Sequence, residues 1–432
     1  MRSATMHSRR KLSVALAAAA TLLLAACSGS GGDASANGPV TLTWWHNRTT
    51  EPMKSIWQGV ADDFHKSHPD VSFTIEPLQN EQFQTKVPLA LQGNTPPDIF
   101  QQWGGGSLVS QLSSGKLADI TQASQSWIGP LGQSAKGWQS GGKQYGVPYQ
   151  MHAVGFWYRK DVFANAGVTS TPTTLDELNA AVAKLKAANI VPIAVGGKDR
   201  WPDAFYYNYF AIRQCSVDSL KTAIDKKDFS DPCFTKAGEN LKAFIDTKPF
   251  QDGFVGTPAQ QGAGSSAGML ATGKAAMELQ GDWNPDVMQS LTEEKDLDSK
   301  VGWFPFPAVP GGQGDPNSVL GGGDGFSCTT RAAKACADFL GYLVGEEVQK
   351  KLAATGSGLP VHPAAVASLK TETHKKISEY VSKAPHLQFY FDIAMPTNVG
   401  QALNDAIANF FAGQGGPDAI VKSVSQAAAG NK

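Results

Sequence analysis

The chain is short of the residues on which most catalytic and nucleic-acid-binding sites are built. Only 17% of its 432 residues are charged and the formal net charge is −1. There is no basic stripe to neutralise phosphates, which argues against a nucleic-acid partner. Histidines number eight and cysteines five, with no CxxC pair and no histidine cluster, so a zinc site is disfavoured. No P-loop, zincin helix, dinucleotide fingerprint or nucleophile elbow is read. Internal repeats are absent as well. No cofactor and no metal are expected.

What is there begins with an address. "SRRKLSVALAAAATLLLAACSGSGG" has a basic start (Arg9, Arg10, Lys11), an apolar run from Leu12 to Ala26 and small residues before Cys27. Together these read as a secretory signal, too short and wrongly flanked for a membrane span. The stretch "LAAC" resembles the bacterial lipobox, which implies cleavage after residue 26, a lipid on Cys27 and a flexible leash through residue 39. An ordinary signal peptide is the alternative. Loss of Arg2, Arg9, Arg10 and Lys11 lowers the 37 basic residues to 33 against 38 acidic, a net charge of −5. The expected location is the outer face of the cell membrane. The roughly 390 residues that follow exceed one ordinary hydrophobic core, so two domains are expected.

Four cysteines then remain, and in an exported chain an even number reads as two disulfides. Cys215 is expected to pair with Cys233. Cys328 and Cys336 are the local pair. On one helix they would stand about 12 Å apart, beyond disulfide reach, so Cys328 must precede the helix if they bond.

From Val40 strands alternate with helices. "VTLTWW", "VSFTIE" and "PPDIF" read as strands. Between them Met53, Ile56, Trp57, Val60 and Phe64 recur at helical spacing, and a second helix spans residues 80–92 despite Pro88. This is the βαβαβ start of an open, mostly parallel sheet. Thr174 and Glu177 form a capping box ahead of "IVPIAVGG". An aromatic-rich helix follows at residues 201–213, then a strand "KAAMELQG" and a strand "VGWF". Helices are expected at residues 333–352, 399–411 and 417–429.

Loops at the carboxyl ends of such strands line the ligand crevice. That rule selects "HNR" (His46, Asn47, Arg48), "QQWGGG" (Gln102 and Trp103 among them) and "GDWN" (Asp282 and Trp283 among them). Trp283 stands in a turn rather than in a helical or strand period, which points to display rather than packing.

In order and spacing, "HPDVSFTIE", "PPDIF", "YGVPYQMHAVGFWYRKDVF", "GDW", "GWFPFPAVPGG", "GGGDGF", "ADFLGYLVGEEVQ" and "GLPV" resemble the carbohydrate-binding extracellular solute-binding proteins of ABC importers. This is the group similar to maltose-binding protein, here in the form of an actinobacterial lipoprotein. The resemblance implies two α/β lobes joined by a hinge of crossing segments near residues 149–156, 321–325 and 357–361. The lobes would comprise residues 40–150 with 323–358, and 151–322 with 359–432. The glycines of "GGGDGF" suit a hinge by accepting unusual backbone angles, with a plain glycine-rich turn as the alternative.

A sugar offers an apolar ring face and a polar rim, so its binder needs aromatic platforms and planar hydrogen-bonding groups. Trp283, Trp103 and Trp201 are the candidate platforms, although Trp201 equally suits a helix cap. Asn47 and Gln102 are candidate hydroxyl partners, as are His46 and Arg48, which otherwise sit in solvent. Gln150 and His152 lie in the first crossing, as ligand contacts or hinge hydrogen bonds. Asp282, Asp324, Asp392 and Phe389 complete the set, the last two because "LQFYFD" resembles the family's C-terminal contact segment. The implied activity is capture of an oligosaccharide, with a lean to a xylo-oligosaccharide, and delivery to ABC permease subunits by a monomeric, lipid-anchored protein. A secreted glycosidase using two of Asp282, Asp324 and Asp392, and a sensing or protein-binding lipoprotein, are the alternatives.

Overall fold

The computed structural model describes residues 38–430, so Cys27 and the leader read above lie outside the described residues. Twelve strands are present among them: β1 Val40–His46, β2 Val71–Pro77, β3 Ile99–Gln102, β4 Gln139–Ser140, β5 Lys143–Gln144, β6 Gly146–Arg159, β7 Val191–Ala194, β8 Ala275–Gly281, β9 Val301–Phe304, β10 Val319–Cys328, β11 Leu359–Pro360 and β12 Leu387–Phe389. Hydrogen bonding runs in the order β2-β1-β3-β10-β6-β8-β7. Among the described residues no helix is long and apolar enough to cross a membrane.

One half forms around β1, which pairs parallel with β2 and β3. The helix Met53–Ser67 buries Met53, Trp57, Val60, Ala61 and Phe64 along one stripe. That stripe packs against Trp44, Phe326 and Phe339 in a common core. The other half gathers Phe156, Leu178, Phe205, Tyr206, Phe210 and Met277 with the C-terminal Phe391, Leu403 and Phe410. Its helix Leu175–Ala187 opens with the capping box foreseen at Thr174 and Glu177.

Strand β6 connects the two. Its 14 residues are buried almost throughout, because both faces are covered and alternation is unnecessary. Up to Ala153 it pairs antiparallel with β10. From Val154 onward it pairs with β8 and β9 instead. Thus the chain passes from one lobe to the other in the middle of a strand, with β10 and the short β11 alongside. The fold is α/β and periplasmic-binding-protein-like, with two lobes joined by several crossing segments.

Four expectations are corrected. The sheet is not mostly parallel, because the crossing strands pair antiparallel with their neighbours. The helical stretch at 333–352 is two helices, Ala333–Leu343 and Glu346–Ala353, split where Gly345 becomes extended. A third helix, Glu372–Lys383, is present where none is foreseen. The glycines of "GGGDGF" lie within β10, and none of Gly321, Gly322, Gly323 and Gly325 has a positive φ. Close approach, not backbone freedom, requires them. A Cβ on Gly325 would stand 2.3 Å from the Val147 carbonyl oxygen, and one on Gly322 would stand 2.4 Å from the Tyr390 ring.

Both disulfides are formed. Cys215–Cys233 ties the end of the aromatic-rich helix to the next long one, and Cys328–Cys336 joins the end of β10 to the following helix with Cα atoms 5.8 Å apart. The four thiols are therefore not available to a zinc ion.

Candidate functional site

A cleft of about 1040 Å³, including its open mouth, lies beyond the ends of β1, β3 and β8 and against the middles of β6 and β10. Its lining contains Asn47, Arg48, Trp103, His152, Trp201, Trp283, Asp324 and Asp392. Eight of the thirteen foreseen residues are thus brought together.

Trp283 reaches the cleft because of the two residues before it. The Asp282 N–H donates to the Ala153 carbonyl at 3.1 Å, which ties the turn to β6. Gly281 must be glycine, since a Cβ there would stand 2.1 Å from the Trp283 ring folded back over it. The indole meets the edge of His152 at 4.9 Å and 89°, and stands 6.4 Å from Trp201 and 6.5 Å from Phe205. Phe205 continues to Tyr390 at 5.3 Å. One wall is therefore a run of four aromatic rings.

Trp103 comes from the other lobe. It follows β3 and precedes Gly104 and Gly105, whose φ values of +76° and +60° start the helix Gly105–Leu112 abruptly and leave the indole outside it. Phe83 supports it edge-on at 5.7 Å.

The floor is a chain of charges across the crossing strands. Arg48 donates to Asp324 at 2.8 Å, to Gln150 at 3.1 Å and to the Tyr149 hydroxyl at 3.3 Å. His152 Nδ1 lies 2.8 Å from Asp282, and its Nε2 lies 3.3 Å from Asp324. Burial alone would lower the pKa of His152, but Asp282 and Asp324 outweigh it and raise the value to about 9. Burial likewise opposes ionisation of Asp324, yet His152 and Arg48 hold its pKa down at about 2. At neutral pH the Asp324 anion lies between the Arg48 and His152 cations, and Asp282 stands at the other nitrogen of His152, so buried charges have partners where they touch the cleft. Just beyond, burial pushes the pKa of Asp286 up to about 6 against the pull of Arg48.

Five foreseen residues do not reach the cleft. His46 is buried among Trp44 and Trp57, where it accepts the Arg48 N–H, and burial followed by Arg48 lowers its pKa to about 3. Gln102 accepts the Gly104 N–H at 2.8 Å and donates to Gln111 at 2.5 Å. Gln150 is spent on Arg48 and Ser357. Asp282 is fully buried behind His152. Phe389 packs against Gly137, and its neighbour Tyr390 lines the cleft instead. These residues hold the lining in place; a strand's alternation puts adjacent side chains on opposite faces, which spacing alone did not resolve.

The residues missed are mostly amides, Gln79, Asn80, Gln84 and Gln260, with the aromatic Phe205. Asn80 and Gln84 had a legible signal, being planar amides four residues apart on a helix that otherwise buries Phe83, Val87 and Leu91. Several lining residues carry a buried polar atom with no partner in the protein: Asn47 Oδ1, Trp201 Nε1, Trp283 Nε1 and Tyr390 Oη.

Catalytic geometry is weak by comparison. Asp282 is shielded, and Asp392 accepts a hydrogen bond from Asn404 at 2.9 Å. Contrary to the reading that no such spelling is present, Gly264 to Gly268 has the G-x-S-x-G pattern of a nucleophile elbow. Ser266 is buried, donates to the Ala259 carbonyl and follows a loop rather than a strand, so it does not form one. Among the described residues no group of three or more His, Cys, Asp or Glu is placed to hold a metal ion.

Comparison with known proteins agrees with this architecture. The family model of bacterial extracellular solute-binding proteins matches residues 47–350. The diacetylchitobiose binding protein DasA of Streptomyces coelicolor is 26% identical over 84% of this chain and 84% of its own. An ABC transporter extracellular-binding protein of Pyrococcus horikoshii is 23% identical over 61% of this chain, which spans 59% of that relative. Among solved structures, a protein from a study of xylan utilization by Caldanaerobius polysaccharolyticus superposes with a TM-score of 0.82 and 27% identity, covering 90% of this chain and 99% of that one. A chitin oligosaccharide binding protein gives 0.79 at 23% identity, covering 90% and 98%. With two lobes, crossing strands and a cleft between them already evident, the match over most of its length shows that the chain belongs to the bacterial extracellular solute-binding protein family.

Proposed function

We propose that the cleft captures a neutral oligosaccharide outside the cell and that the protein delivers it to an ABC importer. The observation that carries this reading is the pairing of an aromatic wall, Trp283 with Trp201, Phe205 and Tyr390, with Trp103 from the other lobe. Laying about 100 Å² of sugar ring face on one indole contributes roughly 2.5 kcal/mol before ordering costs. The unpartnered polar atoms of Asn47, Trp201, Trp283 and Tyr390 are costly as they stand, and ligand hydroxyls relieve that cost. The charges of the floor compensate one another, which suits a ligand without net charge.

The direct contacts in this reading are Trp283, Trp103, Trp201, Asn47, Arg48, His152, Asp324 and Asp392, with His46, Gln102, Gln150, Asp282 and Phe389 as their supports. The bodies that close are residues 40–150 with 323–358, and 151–322 with 359–432. Sugar bound to one body and bridging to the other favours the closed form, and its differential affinity shifts the population. The closed form docks on permease subunits, and a lipid on Cys27 keeps the protein at the membrane face.

The preferred ligand in this reading is xylobiose or xylotriose, and the likeness to the protein of the xylan study supports it; the relative named for diacetylchitobiose makes chito-oligosaccharides the comparison set. A thermal-shift panel of xylobiose, xylotriose, diacetylchitobiose and maltotriose tests it. At a hundredfold excess over Kd the bound sugar adds about 2.7 kcal/mol of stability. The expected result is the largest rise in Tm with the xylo series and full recovery of intact sugar. No shift with any sugar contradicts the reading, and cleaved product replaces it with a hydrolase.

A further inference from the structure

The cleft does not end at Trp103. On the far side of that indole lies a second chamber of about 510 Å³, including its mouth, and Gln84, Trp103, Asp392 and Ile393 border both spaces. The chamber repeats the chemistry of the main cleft. Its apolar side is Phe83, Val87 and Pro88 beside the indole, and its polar side is amide-rich, with Gln401 and Asn404 from the helix Thr397–Phe411. Asn404 donates to Asp392 at 2.9 Å, and its own Oδ1 has no partner. No lysine or arginine lines the chamber, so an acidic ring finds no cation there and an uncharged one is accepted.

Behind Ser107 and Thr397 the two lobes touch. The Thr397 N–H donates to Ser110 Oγ at 3.0 Å, and a Cβ on Gly106 would stand 2.3 Å from the Met395 carbonyl carbon. That contact closes the chamber on this side.

Resting on the sugar-binding reading above, we infer that this chamber is an additional subsite that takes one uncharged terminal ring of an oligosaccharide whose other rings occupy the main cleft. The ligand that fills both spaces is one ring longer than the ligand that fills the main cleft alone, and Trp103 serves two neighbouring rings.

Calorimetry with xylobiose, xylotriose, xylotetraose and xylopentaose, and with chito-oligosaccharides of the same lengths, tests the inference. The affinity is expected to rise at least tenfold at the ring that enters the chamber and to level off after it. Gln401 is exposed, so Gln401→Trp fills the chamber from the surface. It should erase that gain and leave the disaccharide Kd within about twofold. Hydrogen exchange provides a reading without substitution: the long sugar should protect the amides of residues 83–88 and 397–404 more than the disaccharide does. A gain that survives Gln401→Trp, an affinity that levels off before the chamber is reached, or equal protection by short and long sugars overturns the subsite while leaving sugar binding intact. Failure of every length to bind overturns the sugar-binding reading itself.

Discussion

At the scale of single residues, Trp283 and His152 carry separable consequences. Trp283→Ala removes a platform of the cleft without touching a core centre, because its ring is only half-buried against its neighbours. Sugar affinity should fall at least tenfold by calorimetry, matching roughly half of the stacking contribution, while the circular dichroism spectrum stays unchanged. Unaltered affinity removes Trp283 from the site.

His152 makes the fold sensitive to pH. Its folded pKa, about 9, lies above the ordinary 6.5, so its contribution is complete below pH 6.5 and is lost as pH rises through 9. Asp324 has the opposite sign: its folded value of about 2 lies below 3.8, so its contribution is complete above pH 4 and is lost toward pH 2. Asp203 and Glu278, raised to about 8 and about 7 chiefly by burial, also lose stability as pH rises. The comparison of wild type with His152→Gln isolates the histidine. The difference in Tm between the two proteins should be largest near pH 6 and shrink toward pH 9.5. A difference independent of pH contradicts a charged His152.

At the scale of elements, the crossing strands depend on glycine for packing. Gly325→Ala drives a methyl group into the Val147 carbonyl and the Trp138 indole, and overpacking of this kind costs about 1–3 kcal/mol in denaturant titration. An unfolding midpoint equal to wild type contradicts that account. The Cys215–Cys233 bridge closes a separation of 18 residues. Replacing both cysteines by serine should cost about 3 kcal/mol in the entropy description, read from the same titration.

Strands and helices with clear periods were legible from the chain. Met53, Trp57, Val60 and Phe64 mark their helix by spacing, and Thr174 with Glu177 marks the start of another. The split at Gly345 was not, because one extended residue between two amphipathic helices barely disturbs the period. The orientation of β10 was equally hidden, since its neighbours come from distant parts of the chain. "GGGDGF" signals that side chains are unwelcome, but not whether a turn or a close approach is the cause.

At the scale of the whole molecule, the site is where two lobes and three crossings meet. Local signals found Trp283, Trp103 and Asn47 because strand ends point there, and Asp324 through the resemblance of the crossing segment that holds it. They misplaced His46, Gln102 and Asp282, because which of two adjacent side chains faces the cleft depends on how each loop leaves its strand. Closure belongs to this scale too. Gln261 reaches Gln79 at 3.4 Å. Small-angle scattering should show a larger radius of gyration for the sugar-free protein than for the sugar-bound one; identical curves contradict hinge closure.

The most direct test is a crystal structure of the protein grown with the tightest-binding oligosaccharide of the panel. A sugar ring lying flat on the Trp283 indole, with Trp103 of the opposite lobe in contact with the same ligand, is the predicted result. A sugar found outside the cleft, or held without touching either indole, contradicts the account.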